Sequence, residues 1–112
     1  MLTAVEFYKA LADDTRLQTL LLVVAEQELC VCELVEALQC SQPKISRHLA
    51  LLKQQNLLVD RKQKQWVFYR LNPALPQWCQ HVLETSLQHN QNYLSDAAQR
   101  LSLMQNRPDK CC

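Results

Sequence analysis

The stretch Ser41-Gln-Pro-Lys-Ile-Ser-Arg-His-Leu-Ala-Leu-Leu-Lys53 decides how the chain is read. Ser41 suits a helix N-cap, where its hydroxyl accepts a backbone N–H that has no partner in the first turn. Pro43 falls in that turn, where its missing N–H is not needed. Ile45, Leu49 and Leu52 recur at i, i+4 and i+7 and mark a buried stripe. The opposite face carries Gln42, Lys44, Ser46, Arg47 and Lys53. An apolar back with a polar, basic N-terminal half suits a helix that enters the major groove of DNA. An ordinary charged surface helix has the same periodicity, so the flanking sequence must separate the two.

Charge is distributed in favour of the DNA-reading helix. The net charge of the 112 residues is only +1, but residues 1–40 hold two Lys or Arg against seven Asp or Glu, whereas residues 41–70 hold seven against one. Cations concentrated on this helix and the segment after it form a phosphate-binding footprint. The helix is preceded by Glu28 to Gln39, which reads as a first helix with Val31, Leu34, Val35 and Leu38 buried, and by a turn holding Cys40. Two helices joined by a short turn, the second basic, make a helix-turn-helix. After it, Asn56 fits a left-handed C-cap. Leu57 to Lys62 and Gln65 to Leu71 read as the strands of a hairpin, with Val67, Tyr69 and Leu71 towards the core. Lys62 and Lys64 sit at its tip. The chain contains no glycine, so its tight turns must use Asn, Gln or Lys.

Four stretches in order, Leu11-Ala-Asp-Asp-Thr-Arg-Leu17, Glu28-Leu-Cys-Val-Cys-Glu-Leu34, Ser41 to Leu52 and Trp66-Val-Phe-Tyr-Arg-Leu71, resemble the ArsR family of metal-responsive repressors, most closely its arsenic-sensing branch. The resemblance covers about Phe7 to Leu71. It implies a mainly α fold with a small β-hairpin, a winged helix-turn-helix, that binds double-stranded operator DNA and needs no catalytic machinery. Gln42, Lys44, Ser46 and Arg47 would then touch the major groove, and Lys62 and Lys64 the backbone or minor groove. Family members often have glycine near Lys64, so this wing tip is expected to be looser or mildly strained.

The chemistry lies in the six cysteines. No apolar run approaches the roughly 20 residues that cross a bilayer. The N-terminus, with Glu6 and Lys9 in an amphipathic segment, does not read as a signal peptide. A cytoplasmic protein keeps its cysteines mostly reduced, which points to metal or redox chemistry. Cys30 and Cys32 would point about 200° apart on a regular helix. Both face one ion only if the backbone there is extended or distorted, so gripping an ion is expected to deform the start of the first helix. Soft thiolates select thiophilic ions. Glu28-Leu-Cys-Val-Cys-Glu-Leu34 resembles the arsenite-sensing motif, which implies trivalent arsenic as effector: arsenite, with antimonite and organoarsenicals as related ligands. The best-known form of that motif has a third cysteine where this chain has Val35. Cys40, Cys79, Cys111 and Cys112 are the candidates for a third sulfur. A zinc or cadmium sensor of the same family, with His81, Glu84 and His89 on the last helix, and a thiol redox or metal-carrier protein are the alternatives.

Residues 1–106 are expected to form one domain, with 107–112 a flexible tail. After a linker over Asn72 to Pro76, Leu83, Leu87, Asn90, Leu94, Ala97, Leu101 and Met104 repeat at spacings of four and three. Such a seam packs helix on helix and predicts one long terminal helix forming a homodimer with help from the first helix. Arg16 is expected to face either a DNA backbone or Asp13.

Overall fold

A computed structural model describes residues 2–105 and 107. Helix α1 (Ala4–Leu11) starts at a capping box, in which the Thr3 hydroxyl accepts from the Glu6 N–H and the Glu6 carboxylate from the Thr3 N–H. Helix α2 (Asp14–Glu26) is capped by Asp13 and buries Leu20, Leu21, Leu22 and Val23 at the centre of the core. Arg16 turns inward: its guanidinium donates to the Ala10 and Lys9 carbonyls at the end of α1. There it adds a partner to the Ala10 carbonyl and a second one to the Lys9 carbonyl, which already accepts the Ala12 N–H.

Helix α3 (Val31–Leu38) and helix α4 (Gln42–Gln54) form the helix-turn-helix. The first is shorter than the sequence suggested, because Leu29–Cys30 forms a strand, β1, instead of its first turn. Glu33, Leu34 and Ala37 are its most buried residues, while Val31, Val35 and Leu38 are half-buried. Helix α4 is as the sequence predicted, with Ser41 as N-cap and Ile45, Leu49 and Leu52 buried. It ends in a Schellman motif: Leu57 N–H donates to the Leu52 carbonyl and Asn56 N–H to the Lys53 carbonyl. Asn56, with Gln27, Gln39 and Lys64, takes the positive φ values that a chain without glycine must place elsewhere.

The expected hairpin is part of a three-stranded antiparallel sheet in the order β1-β3-β2, with β2 at Leu58–Gln63 and β3 at Trp66–Leu71. Cys30 pairs with Phe68. Tyr69 and Leu71 pack against the main core, and Val67 is half-buried. The most buried residue of β3 is Phe68, on the other face, because Arg61 of β2 covers its ring at 4.6 Å from the centroid. Lys64, at φ 57, makes the tip. A side chain in this left-handed region is disfavoured by roughly 1–2 kcal/mol, which fits the expected mild strain.

The long terminal helix is instead two helices, α5 (Gln77–His89) and α6 (Gln91–Leu103), which meet at Asn90. The backbone there has φ −134 and ψ 39, and the Asn90 amide donates to the Ser86 carbonyl. This is the local competition with helical bonding that favours Asn at helix ends. Most of the seam lies within the chain's own core: Leu83, Leu94, Ala97 and Leu101 are buried, and Leu87 and Met104 pack beside them. Helix α6 lies on α3, where the Arg100 guanidinium donates to the Ala37 carbonyl at 2.8 Å. Among the described residues, no helix is long and apolar enough to cross a membrane.

Candidate metal centre and nucleic-acid interface

Cys30 is the N-cap of α3, with extended backbone at φ −93 and ψ 168, and Cys32 lies in the first turn. The extended residue swings its side chain round, so the two sulfurs converge at 2.7 Å. Both are free thiols, and the separation exceeds a disulfide bond of about 2.05 Å. The sequence reading required an extended or distorted backbone to bring both sulfurs to one side, and the structure has the extended one: Cys30 precedes the helix and α3 is intact.

The sulfurs open into a cleft of about 370 Å³ lined by Val31 and Val35 of α3, Gln42 of α4, and Gln65, Trp66 and Val67 of the wing. The position of the absent third cysteine, Val35, thus forms part of its wall. Neither Cys40 nor Cys79 lines it. Cys40 sits in the α3–α4 turn with its thiol towards the Leu38 carbonyl, and Cys79 is buried in the core. Cys111 and Cys112 lie outside the described residues. His81, Glu84 and His89 are exposed along α5, and no group of three potential ligands occurs among the described residues.

Glu33 organises the site from below. It is almost fully buried; one carboxylate oxygen accepts the Cys30 N–H at 2.9 Å and the other meets Arg107 Nε at 2.6 Å. Arg107 also reaches Glu26 at 2.9 Å, so the residue expected to begin a flexible tail is tied to the core. Burial, then the adjacent Cys32 thiol, push Cys30 far above the usual thiol range, and the Glu33 charge adds to this. Glu28, two residues before Cys30, forms a paired bridge to Arg61 at 2.7 and 2.6 Å. That bond holds its carboxyl below the usual range. The cysteine segment and the wing are thereby joined by backbone pairing and by a salt bridge.

On the outer face, Gln42, Lys44, Ser46 and Arg47 are exposed along the N-terminal half of α4, and Lys62 and Lys64 are exposed on the wing. The other cations of this region include two held internally. Lys53 bonds Asp60 at 2.9 Å, fixing the end of α4 to β2, and Arg61 holds Glu28.

Residues 13–59, from the start of α2 into β2, match the family described as bacterial regulatory protein, arsR family. The whole chain aligns with the whole of the arsenic resistance transcriptional regulator ArsR2 of Pseudomonas putida at 50% identity. The chain belongs to the arsR family. The arsenical resistance operon repressor of Escherichia coli is 53% identical over 74% of this chain and 71% of its own length. Among solved structures, reduced HlyU from Vibrio cholerae superposes with a TM-score of 0.70 at 36% identity, covering 78% of this chain and 87% of that one. This arsR-family chain is thus a winged-helix transcriptional regulator and not an enzyme. Two features of its site were missed in the sequence, the Glu33–Arg107 pair and the Glu28–Arg61 bridge. The bond from the Cys30 N–H to Glu33 had a signal, because Cys30-x-x-Glu33 has capping-box spacing with a thiol in place of the hydroxyl.

Proposed function

We propose that this chain is a homodimeric repressor that binds double-stranded operator DNA and releases it when trivalent arsenic binds Cys30 and Cys32. The observation that carries this reading is the position of the paired sulfurs. Their cleft is walled by Gln42 at the start of the reading helix and by Gln65 to Val67 of the wing. An ion held there presses on both DNA-contacting elements directly. Gln42, Lys44, Ser46 and Arg47 read the major groove, and Lys62 and Lys64 meet the backbone or minor groove. The effector is arsenite, no resident cofactor is invoked, and the protein works in the cytoplasm.

The dimer forms through the terminal helices. Val5 and Tyr8 of α1 and Trp78 of α5 are exposed large hydrophobic residues, and Phe7, Tyr8 and Trp78 make one aromatic cluster. A second copy covers this face. The folded domain reaches Arg107, which is held by Glu33 and Glu26, and 108–112 form the tail. The tail sulfurs Cys111 and Cys112 follow an anchored Arg107 within five residues, a span of up to ~17 Å. That gives them the reach to add a third sulfur.

The test is operator binding with and without arsenite. An inverted-repeat duplex should be bound as a dimer with a steep salt slope and released by micromolar arsenite. Absence of duplex binding together with thiol–disulfide exchange would replace this reading with a redox or carrier role.

A further inference from the structure

Asp13 and Arg16 meet the reading helix at a place that neither DNA contact nor arsenic binding uses. Between them lies His48 of α4, its side chain 14% exposed. Arg16 Nη1 faces His48 Nδ1 at 3.5 Å, and Asp13 Oδ2 faces His48 Nε2 at 3.9 Å. A guanidinium only donates, so Nδ1 must be the unprotonated nitrogen and the ring proton sits on Nε2, towards the carboxylate. The circuit closes on itself. Asp13 accepts the Arg16 N–H at 3.0 Å as the cap of α2, and Arg16 reaches the Lys9 and Ala10 carbonyls at the end of α1. The charged groups facing the ring are Asp13 and Arg16 from α2 and its cap, with Lys44 and Arg47 on α4 itself. Burial holds the imidazole below the usual histidine range; Asp13 opposes this, and Arg16, Arg47 and Lys44 add to it.

We propose that His48 is a positioning residue for DNA binding that works only as the neutral imidazole, so that acid releases the DNA without arsenic. The neutral ring joins the middle of α4 to the start of α2 and, through Arg16, to the end of α1. A second proton, on Nδ1, sets an N–H and a positive charge against the Arg16 guanidinium. Arg16 and α4 must then move apart, which changes how the helix meets the groove. Because the folded ring is held below its unfolded value of about 6.5, the joint is complete at neutral pH and is lost as pH falls through its titration. The direction separates this joint from general electrostatics. A cation added beside a phosphate-binding surface ordinarily tightens DNA binding, and the exposed His81 and His89 of α5 gain charge in acid as well. A joint that needs a neutral ring weakens binding instead, and DNA and the proton each lower the affinity of the other. The inference rests on α4 as the reading helix and not on the cysteine site.

The test uses the full-length chain without any arsenical, and a duplex that the protein itself selects from a random-sequence pool at about pH 8. Affinity for that duplex is followed from about pH 8 to about pH 5 at fixed ionic strength, while the His48 ring is titrated by NMR. Affinity should fall, with a slope approaching about tenfold per pH unit below the His48 titration, as for the exclusion of one proton. His48→Gln keeps an acceptor and a donor but cannot titrate, so its affinity should not weaken in acid. Asp13→Asn keeps a good N-cap but removes the carboxylate that favours the imidazolium, so the weakening should move to lower pH. Affinity that rises or stays level in acid overturns the inference, and so does a His48→Gln variant that weakens as the wild type does. Loss of far-UV circular dichroism over the same range overturns it too, in favour of acid unfolding. If no duplex is selected at about pH 8, the reading of α4 itself has failed, and the inference with it.

Discussion

The two helices of the helix-turn-helix begin in the same way and are used differently. Both start after an extended N-cap, Cys30 for α3 and Ser41 for α4. At Ser41 the hydroxyl accepts the Lys44 N–H, so the side chain is occupied with holding the helix end. At Cys30 the cap is reciprocal: the sulfur faces the Glu33 N–H, the buried Glu33 carboxylate accepts the Cys30 N–H, and the sulfur also meets Cys32. Sulfur is a weak hydrogen-bond partner and a strong ligand for soft ions. Replacing a capping oxygen by sulfur, with a carboxylate to support the backbone, turns a helix start into a binding site. The neighbouring start remains a structural cap beneath a DNA-reading surface.

The comparison can be broken first at Glu33. Arg107→Ala leaves a carboxylate that is 3% exposed with its main cation removed. Uncompensated buried charges are strongly destabilising, so unfolding in urea should show a loss of about 3 kcal/mol, and Arg107→Lys should recover part of it. A loss below about 0.5 kcal/mol, the level of an ordinary surface change, would mean that α3 does not depend on this pair. At the other helix, Arg47→Ala should weaken operator binding by about 2 kcal/mol and relax sequence preference. Lys64→Ala should weaken all duplexes alike and lower the salt slope by about one. Unchanged operator affinity for Arg47→Ala would remove α4 from the groove. The smallest effect is expected at the cap. Ser41→Ala should cost about 1 kcal/mol of stability, whereas Cys30→Ser, which puts a hydroxyl at an N-cap, should be nearly neutral in the same urea titration.

How much was legible in the sequence follows the range of the forces involved. Helix α4, its Ser41 cap, its Ile45–Leu49–Leu52 stripe and the Asn56 terminus are local, and all could be read from spacing alone. The substitution of Gln, Asn and Lys for glycine at positive φ was also readable, because composition left no other choice. The break at Asn90 was not, because a heptad pattern continues through it and only the packing of α6 on α3 selects two helices over one. The convergence of Cys30 and Cys32 was hidden for a related reason. Helical spacing separates them, and only the pairing of Leu29–Cys30 with β3 makes Cys30 extended. Arg107 lies 74 residues from Glu33, and no local pattern connects them.

The central claim is that the two sulfurs at the start of α3 are the sensor and that DNA contact is made elsewhere. The Cys30→Ser/Cys32→Ser variant tests it directly, with operator affinity measured across an arsenite titration. The wild-type protein should lose about a hundredfold in affinity, corresponding to roughly 2.7 kcal/mol of coupling. The double variant should bind the operator as wild type does and remain bound at every arsenite concentration. Normal release of the double variant by arsenite would contradict the claim and place the sensor outside the cleft beneath the wing.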